Sequence, residues 1–148
     1  MSAGGTDGNI FIGAAISAVS ERLVIERLHR DLSAARVPFA LLANFQLGGR
    51  QLDCVVVTER RVVVIEVKAS VLPVRGQVDG DWARLDIAGE WRHYTNGYRQ
   101  ALGQKERLVD AMRRRGDIGR YYPDAAVVFA KPLPPGSSLT GGVISRFL

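Results

Sequence analysis

The sequence predicts a single α/β domain, a β-sheet carrying helices. Three observations predict it: two long stretches of helical apolar spacing, a Val/Ile-rich hairpin between them, and one more apolar strand after the second helix. A length of 148 residues suits one domain with one core. With 47% hydrophobic and 24% charged residues, a disordered or collagen-like chain is excluded. No apolar run reaches the ~18 residues needed to span a bilayer, so no membrane partner is expected. Residues 10–19 contain polar Ser17 and follow no Lys or Arg, which is wrong for a signal segment. Cys54 is the lone cysteine and makes neither an internal disulfide nor a four-thiolate metal site. A reducing, cytoplasmic setting is therefore expected.

The first residues are rich in Gly, Ser and Thr without periodicity, and residues 1–11 read as a flexible N-terminus. A helix is predicted over residues 14–35, ending before the Val37-Pro38 step, which disfavours helical geometry. A strand over residues 39–47 follows, and Gly48-Gly49 makes the turn. Two β-rich runs, residues 51–57 and 62–68, flank Thr58-Glu59-Arg60-Arg61. After Pro73, short strands are predicted near Gln77, over 83–87 and over 91–94, punctuated by Asp79-Gly80 and Ala88-Gly89. A second helix spans residues 97–115 and a last strand 125–130. Residues 12–131 thus form the domain, and the Pro/Gly-rich stretch 132–148 reads as a tail or linker.

The hairpin carries the chemistry. Side chains alternate between the two faces of a strand. A loop centred on Glu59-Arg60 pairs Val57 with Val62, Val55 with Val64, Asp53 with Glu66 and Gln51 with Lys68. One face then carries two opposed carboxyls, a lysine and a glutamine beyond its valines. Opposed carboxylates on an apolar sheet repel one another unless one is protonated or a cation lies between them. A hard divalent cation suits such oxygen ligands. Lys68 then either reaches a water or phosphate at that cation or simply pairs with the acids.

Glu21 adds a third acid. At roughly 100° per residue, Val24, Ile25, Leu28 and Leu32 share its side of the first helix, where a lone carboxylate rarely belongs. It is either a further metal or water ligand or a buried Glu paired with a cation. On the second helix, Tyr98, Ala101, Leu102, Leu108, Val109 and Met112 make the apolar face. Gln100, Gln104, Arg107, Ala111 and Arg114 are read as a separate polar stripe. Such a stripe either follows a sugar-phosphate backbone or faces solvent. Between Arg92 and Arg120, eight cations oppose three acids, so this segment holds the whole formal charge of +5, which attracts polyanions.

Other candidates carry less. His29, His93 and Cys54 do not have metal-ligand spacing, and Gly48-Gly49 and Gly141-Gly142 precede no Gly-Lys-Ser/Thr. Trp82 and Trp91 are expected to cover a sheet or hairpin.

Asp53 followed by Glu66-Val67-Lys68 on adjacent strands resembles the PD-(D/E)xK nuclease superfamily. More narrowly, Ser20-Glu21, Gln51-Leu52-Asp53, Ile65-Glu66-Val67-Lys68 and Asn96-Gly97-Tyr98-Arg99-Gln100 make the chain similar to the NERD (nuclease-related) domain. The likeness covers about residues 14–130. It implies a restriction-endonuclease-like core, a central mixed sheet flanked by helices, and Mg²⁺- or Mn²⁺-dependent cleavage of phosphodiesters. By that resemblance Asp53, Glu66 and the Val67 carbonyl, with Glu21, hold metal. Lys68 orients the attacking water, and Gln100 is an accessory amide. The chain departs from the family's usual pattern at Ser20, where Gly is usual, and at Gly97, where Pro is usual. Such domains are often fused to helicase-like or kinase-like partners. The expected function is cleavage of DNA without base-specific readout, with Arg99, Gln104, Arg107 and Arg114 on the nucleic acid. The alternative is an inactive nucleic-acid-binding or interaction module of the same fold.

Overall fold

β-Branched residues dominate the central strands, and their pleat sets which side chains each helix covers. The computed structural model describes residues 8–116, 122–139 and 144–146. The N-terminal residues 1–7, together with Asp117, Arg120, Gly141 and Gly142, lie outside the described residues. In chain order the elements are β1 (Gly8–Ile12), α1 (Val19–Ala34), β2 (Phe39–Leu47), β3 (Arg50–Thr58) and β4 (Val62–Lys68). Then come β5 (Val74–Gly76), β6 (Trp82–Leu85), β7 (Trp91–Tyr94), α2 (Gly97–Arg114), β8 (Asp124–Phe129), β9 (Ser138–Leu139) and β10 (Ile144–Arg146). The main sheet runs β1-β2-β3-β4-β8-β10, and a second sheet runs β7-β6-β5-β9. In the main sheet β2, β3 and β4 are antiparallel neighbours, whereas β1 on β2, β8 on β4 and β10 on β8 are parallel. This is an α/β fold with mixed sheets and two helices, consistent with a restriction-endonuclease-like core.

Each helix covers one face of the main sheet. Val24 and Ile25 of α1 pack on Leu41, Ala43, Cys54, Val56, Ile65 and Val67. Leu108 of α2 lies against Leu52, Val55, Val62 and Val64. A third cluster joins Trp82 and Val74 of the small sheet to Val127 and Phe129 of β8. Trp82 is the cover for a sheet expected of it, and its indole Nε1 donates to the Gln77 carbonyl over 2.8 Å.

The alternation breaks at one place. Leu52 and Val55 share the α2-side cluster, although three positions apart on one strand they should face opposite ways. Directly across, Ala43 faces α1 while Phe45 packs on the α2 side. Asn44 lies between them with φ +49°, a left-handed conformation that Asn tolerates better than most residues. Its Nδ2 donates to the carbonyls of Ala14 (3.0 Å) and Ala15 (2.9 Å). The Gly13 and Ala14 amides in turn donate to the carbonyls of Ala43 (3.0 Å) and Asn44 (2.9 Å).

This knot explains where α1 starts. The predicted helix began at residue 14, but residues 13–15 commit their backbone to β2, and α1 begins at Val19. β1, which pairs with β2 just before the knot, was not foreseen, because five residues carry too short a pattern. Nor were β9 and β10 in the segment read as a tail or linker; strands held by backbone pairing at a sheet edge need no apolar alternation.

Candidate active site

The hairpin register is the one the spacing predicts. Val57 pairs with Val62, Val56 with Val63, Val55 with Val64 and Cys54 with Ile65. The ladder ends there, and the Asp53 side chain takes over: its Oδ2 accepts from the Val67 amide over 3.1 Å. Neither of the next two expected pairs, Asp53 with Glu66 and Gln51 with Lys68, belongs to this ladder. On its other side Gln51 pairs with Gln46 of β2, and its side-chain amide donates to Asn44 Oδ1. The break in alternation at Asn44 and Asp53 turns this end of β3 away from β4.

Glu66, 7% exposed, is gripped by its neighbours. Its Oε2 accepts from Gln104 Nε2 over 2.6 Å, and Lys68 Nζ stands 3.6 Å from Oε1. Burial first, then the Asp53 charge and a carboxyl–carboxyl hydrogen bond to Asp53, push Glu66 up to about 7; the Gln104 bond and the Lys68 charge oppose that rise. A hydrogen bond between two carboxyls needs one proton. At higher pH the pair needs a cation in its place. Burial, and secondarily Asp53, also raises Glu21 on α1, so Asp53 acts on both of the other acids. Burial next to Asp53 pushes the Cys54 thiol up to about 12, an inert core thiol.

Lys68 is enclosed as well. Its Nζ lies 5.5 Å from the Tyr94 ring centroid. A Cβ added at Gly97, the first residue of α2, would sit 3.2 Å from Lys68 Cε and 3.3 Å from the Trp82 ring. Asn96 fixes that helix start. Its Oδ1 accepts from the amides of Tyr98 (2.9 Å) and Arg99 (3.1 Å), and its Nδ2 donates to the carbonyls of Val78 (3.1 Å) and Gly80 (2.7 Å). Pro is usual at position 97 in the resembled family; the glycine here lets the helix close on the lysine.

Among the described residues, no three His, Cys, Asp or Glu side chains gather tightly enough to cage an ion. Glu21 senses Asp53 electrostatically without joining such a group, so the protein offers a carboxylate pair. That set fits a small hard cation, which takes one or two carboxylates and keeps several waters. Gln104 Oε1, on the same amide that holds Glu66, is buried and without a hydrogen-bond partner.

Gln104 is thereby moved from the place the sequence assigned it. Read as part of a solvent-side stripe, it is 8% exposed and faces Glu66. The helical arithmetic held the signal, since at 100° per residue Gln104 lies roughly 60° from Ala101 and near Leu108. Its amide reaches Glu66, and with Gln100, one turn earlier, it lines a neighbouring cavity together with Arg99 and Arg107. Arg114, in the last turn of α2, does not line that cavity. Arg50 does, and nothing in the sequence singled it out.

A mixed sheet flanked by helices, with two carboxyls and a lysine where its alternation breaks, defines the nuclease-like class of α/β domain. The chain belongs to the NERD family: the family model for the nuclease-related domain matches residues 16–130. No curated protein and no solved structure matches it significantly. Among the described residues, no helix is long and apolar enough to cross a membrane.

Proposed function

We propose that this domain hydrolyses phosphodiester bonds of DNA with Mg²⁺ or Mn²⁺ as cofactor, cutting in a sequence-tolerant or structure-selective way. The observation that carries the reading is the carboxyl pair of half-buried Asp53 and buried Glu66, with Lys68 Nζ 3.6 Å from Glu66. A bound cation would polarise the scissile phosphate and make a water more acidic. Asp53 and Glu66 would hold it, with the Val67 carbonyl beside them and Glu21 nearby to receive a hydrogen bond from a coordinated water.

The remaining steps belong to the chain's own groups. Lys68, kept in place by Tyr94 and Gly97, orients the attacking water and faces the phosphate. Gln104 fixes the Glu66 carboxylate in one rotamer, so that it need not reorganise when substrate arrives. Arg99 and Arg107 neutralise the flanking backbone from α2.

The test is direct: linear and circular DNA incubated with the protein in Mg²⁺ or Mn²⁺, with EDTA and Lys68→Ala controls. Nicking that needs the metal and Lys68 is the expected result. DNA binding with no cleavage by any divalent ion would replace the reading with that of an inactive binding module.

A further inference from the structure

Beside the acid pair lies a cavity of 510 Å³, within the size range of about 300–1,000 Å³ typical of small-ligand sites. Arg50 at the start of β3 forms one side, and Arg99 and Arg107 rise from α2, with the far rim on the small sheet. Among the described residues, none of these three guanidiniums has an acidic partner. The cavity's carboxylate, Asp81, stands 3.8 Å from His93 Nε2. Three free cations around one hollow suit a phosphate.

A phosphate alone does not complete the cavity. Gln100 Oε1 and Gln104 Oε1, both on its lining residues, are buried and without hydrogen-bond partners. Gln104 is 8% exposed, so its oxygen belongs to the wall and not to open solvent. A ligand that packs against these acceptors must bring donors, or they stay bare. The phosphodiester backbone of DNA offers only acceptors. Its donors are the N–H groups of the bases, and in a duplex those facing the partner strand are already used.

We infer that this cavity is a subsite for one unpaired nucleotide, with its phosphate on Arg50, Arg99 and Arg107 and its base donating to the amide oxygens of Gln100 and Gln104. The inference rests on the nuclease reading for its setting, and it specifies the substrate as a single strand or an opened duplex. Thymine brings one N–H and the other bases at least two, so such a subsite discriminates paired from unpaired and holds thymine least tightly.

Binding in EDTA tests it apart from cleavage. Fluorescence anisotropy compares a mixed-sequence single strand, an abasic strand of equal phosphate count and a dumbbell duplex closed at both ends. The single strand is expected to bind about tenfold tighter than either of the others. In Gln100→Leu the advantage over the abasic strand shrinks severalfold. In Arg50→Ala all three ligands weaken together and the salt slope falls by about one, while the base advantage persists. Equal affinity for the abasic and base-bearing strands overturns the proposal, and so does a dumbbell bound as tightly as the single strand. A protein that cleaves duplex with metal but shows no base advantage keeps its nuclease reading and loses this one. A protein that never cleaves yet shows the advantage does the reverse. Should Gln100→Leu fail to fold, the wild-type comparison of abasic and base-bearing strands still decides.

Discussion

Gln104 donates its side-chain amide to Glu66 across 2.6 Å, joining α2 to β4 at a buried carboxyl that also meets Lys68. The bond does two things at once. It supplies a donor to a carboxylate removed from water, and it holds that carboxylate at a fixed angle to Asp53. Gln104→Leu keeps the volume and removes the donor. The variant should lose about 1–3 kcal/mol in urea denaturation at pH 8, where Glu66 is charged. The loss should be smaller at pH 5, where a protonated Glu66 needs the donor less. Equal losses at both pH values would show that the amide only fills space.

Glu66 sets the pH dependence of the metal-free protein. Its folded value is raised from 4.5 to about 7, so between those limits the folded state holds more proton than the unfolded chain. Stability therefore falls as pH rises through this window, by up to about 1.4 kcal/mol per unit. The difference between wild type and Glu66→Gln, followed by thermal melts in EDTA, isolates this contribution. The two melting profiles should diverge from pH 4.5 to 7, wild type losing more. Parallel profiles would remove Glu66 from the account.

Divalent metal should reverse that trend. Above pH 7 the deprotonated pair gains a counter-ion, and Mg²⁺ or Mn²⁺ should raise the melting temperature. At pH 5 protons compete and the rise should be small. Asp53→Asn should abolish the metal-induced rise. A rise that survives in Asp53→Asn would place the ion elsewhere.

Gly97 bears on the lysine more than on the fold. Gly97→Ala introduces a Cβ 3.2 Å from Lys68 Cε, and the flexible stem must give by a few tenths of an ångström. Such a displacement of a reacting group should lower kcat about tenfold with KM unchanged. The melting temperature, read alongside, separates this from any cost of the same Cβ meeting the buried Trp82 ring at 3.3 Å. An unaffected kcat would mean the lysine tolerates the shift.

The Asn44 knot should matter to stability well away from any substrate. A Cβ at Gly13 would lie 2.7 Å from Phe45 Cβ and 2.9 Å from the Asn44 carbonyl, against backbone that cannot yield easily. Gly13→Ala should cost about 1–3 kcal/mol by overpacking. Asn44→Gly keeps the left-handed backbone accessible and loses the two hydrogen bonds to the Ala14 and Ala15 carbonyls and the one from the Gln51 amide, so it reports the side chain's bonds. Urea titrations read both, and a native-like midpoint in both variants would show that the connector is not held there.

Much of this protein is determined by local pattern. Valine runs flanking Thr58–Arg61 hold the β3–β4 register from Val57–Val62 to Cys54–Ile65, because pairing across a hairpin depends on the turn between the strands, and that register carries Asp53 and Glu66 to the same end of the sheet. The apolar spacing of α2 marks its extent, and Asn96 marks its start, since a cap acts on its own next turn. What lies beyond short range was decided by packing. The left-handed Asn44 turns Leu52 and Phe45 to the α2 side and delays α1 to Val19, through bonds between residues about thirty positions apart. Gln104 became a ligand of Glu66, and Arg50 a wall of the cavity beside it, only when α2 came to rest on β4. A side chain's neighbours across a helix–sheet interface depend on how two elements dock, and no periodicity within either element contains that information.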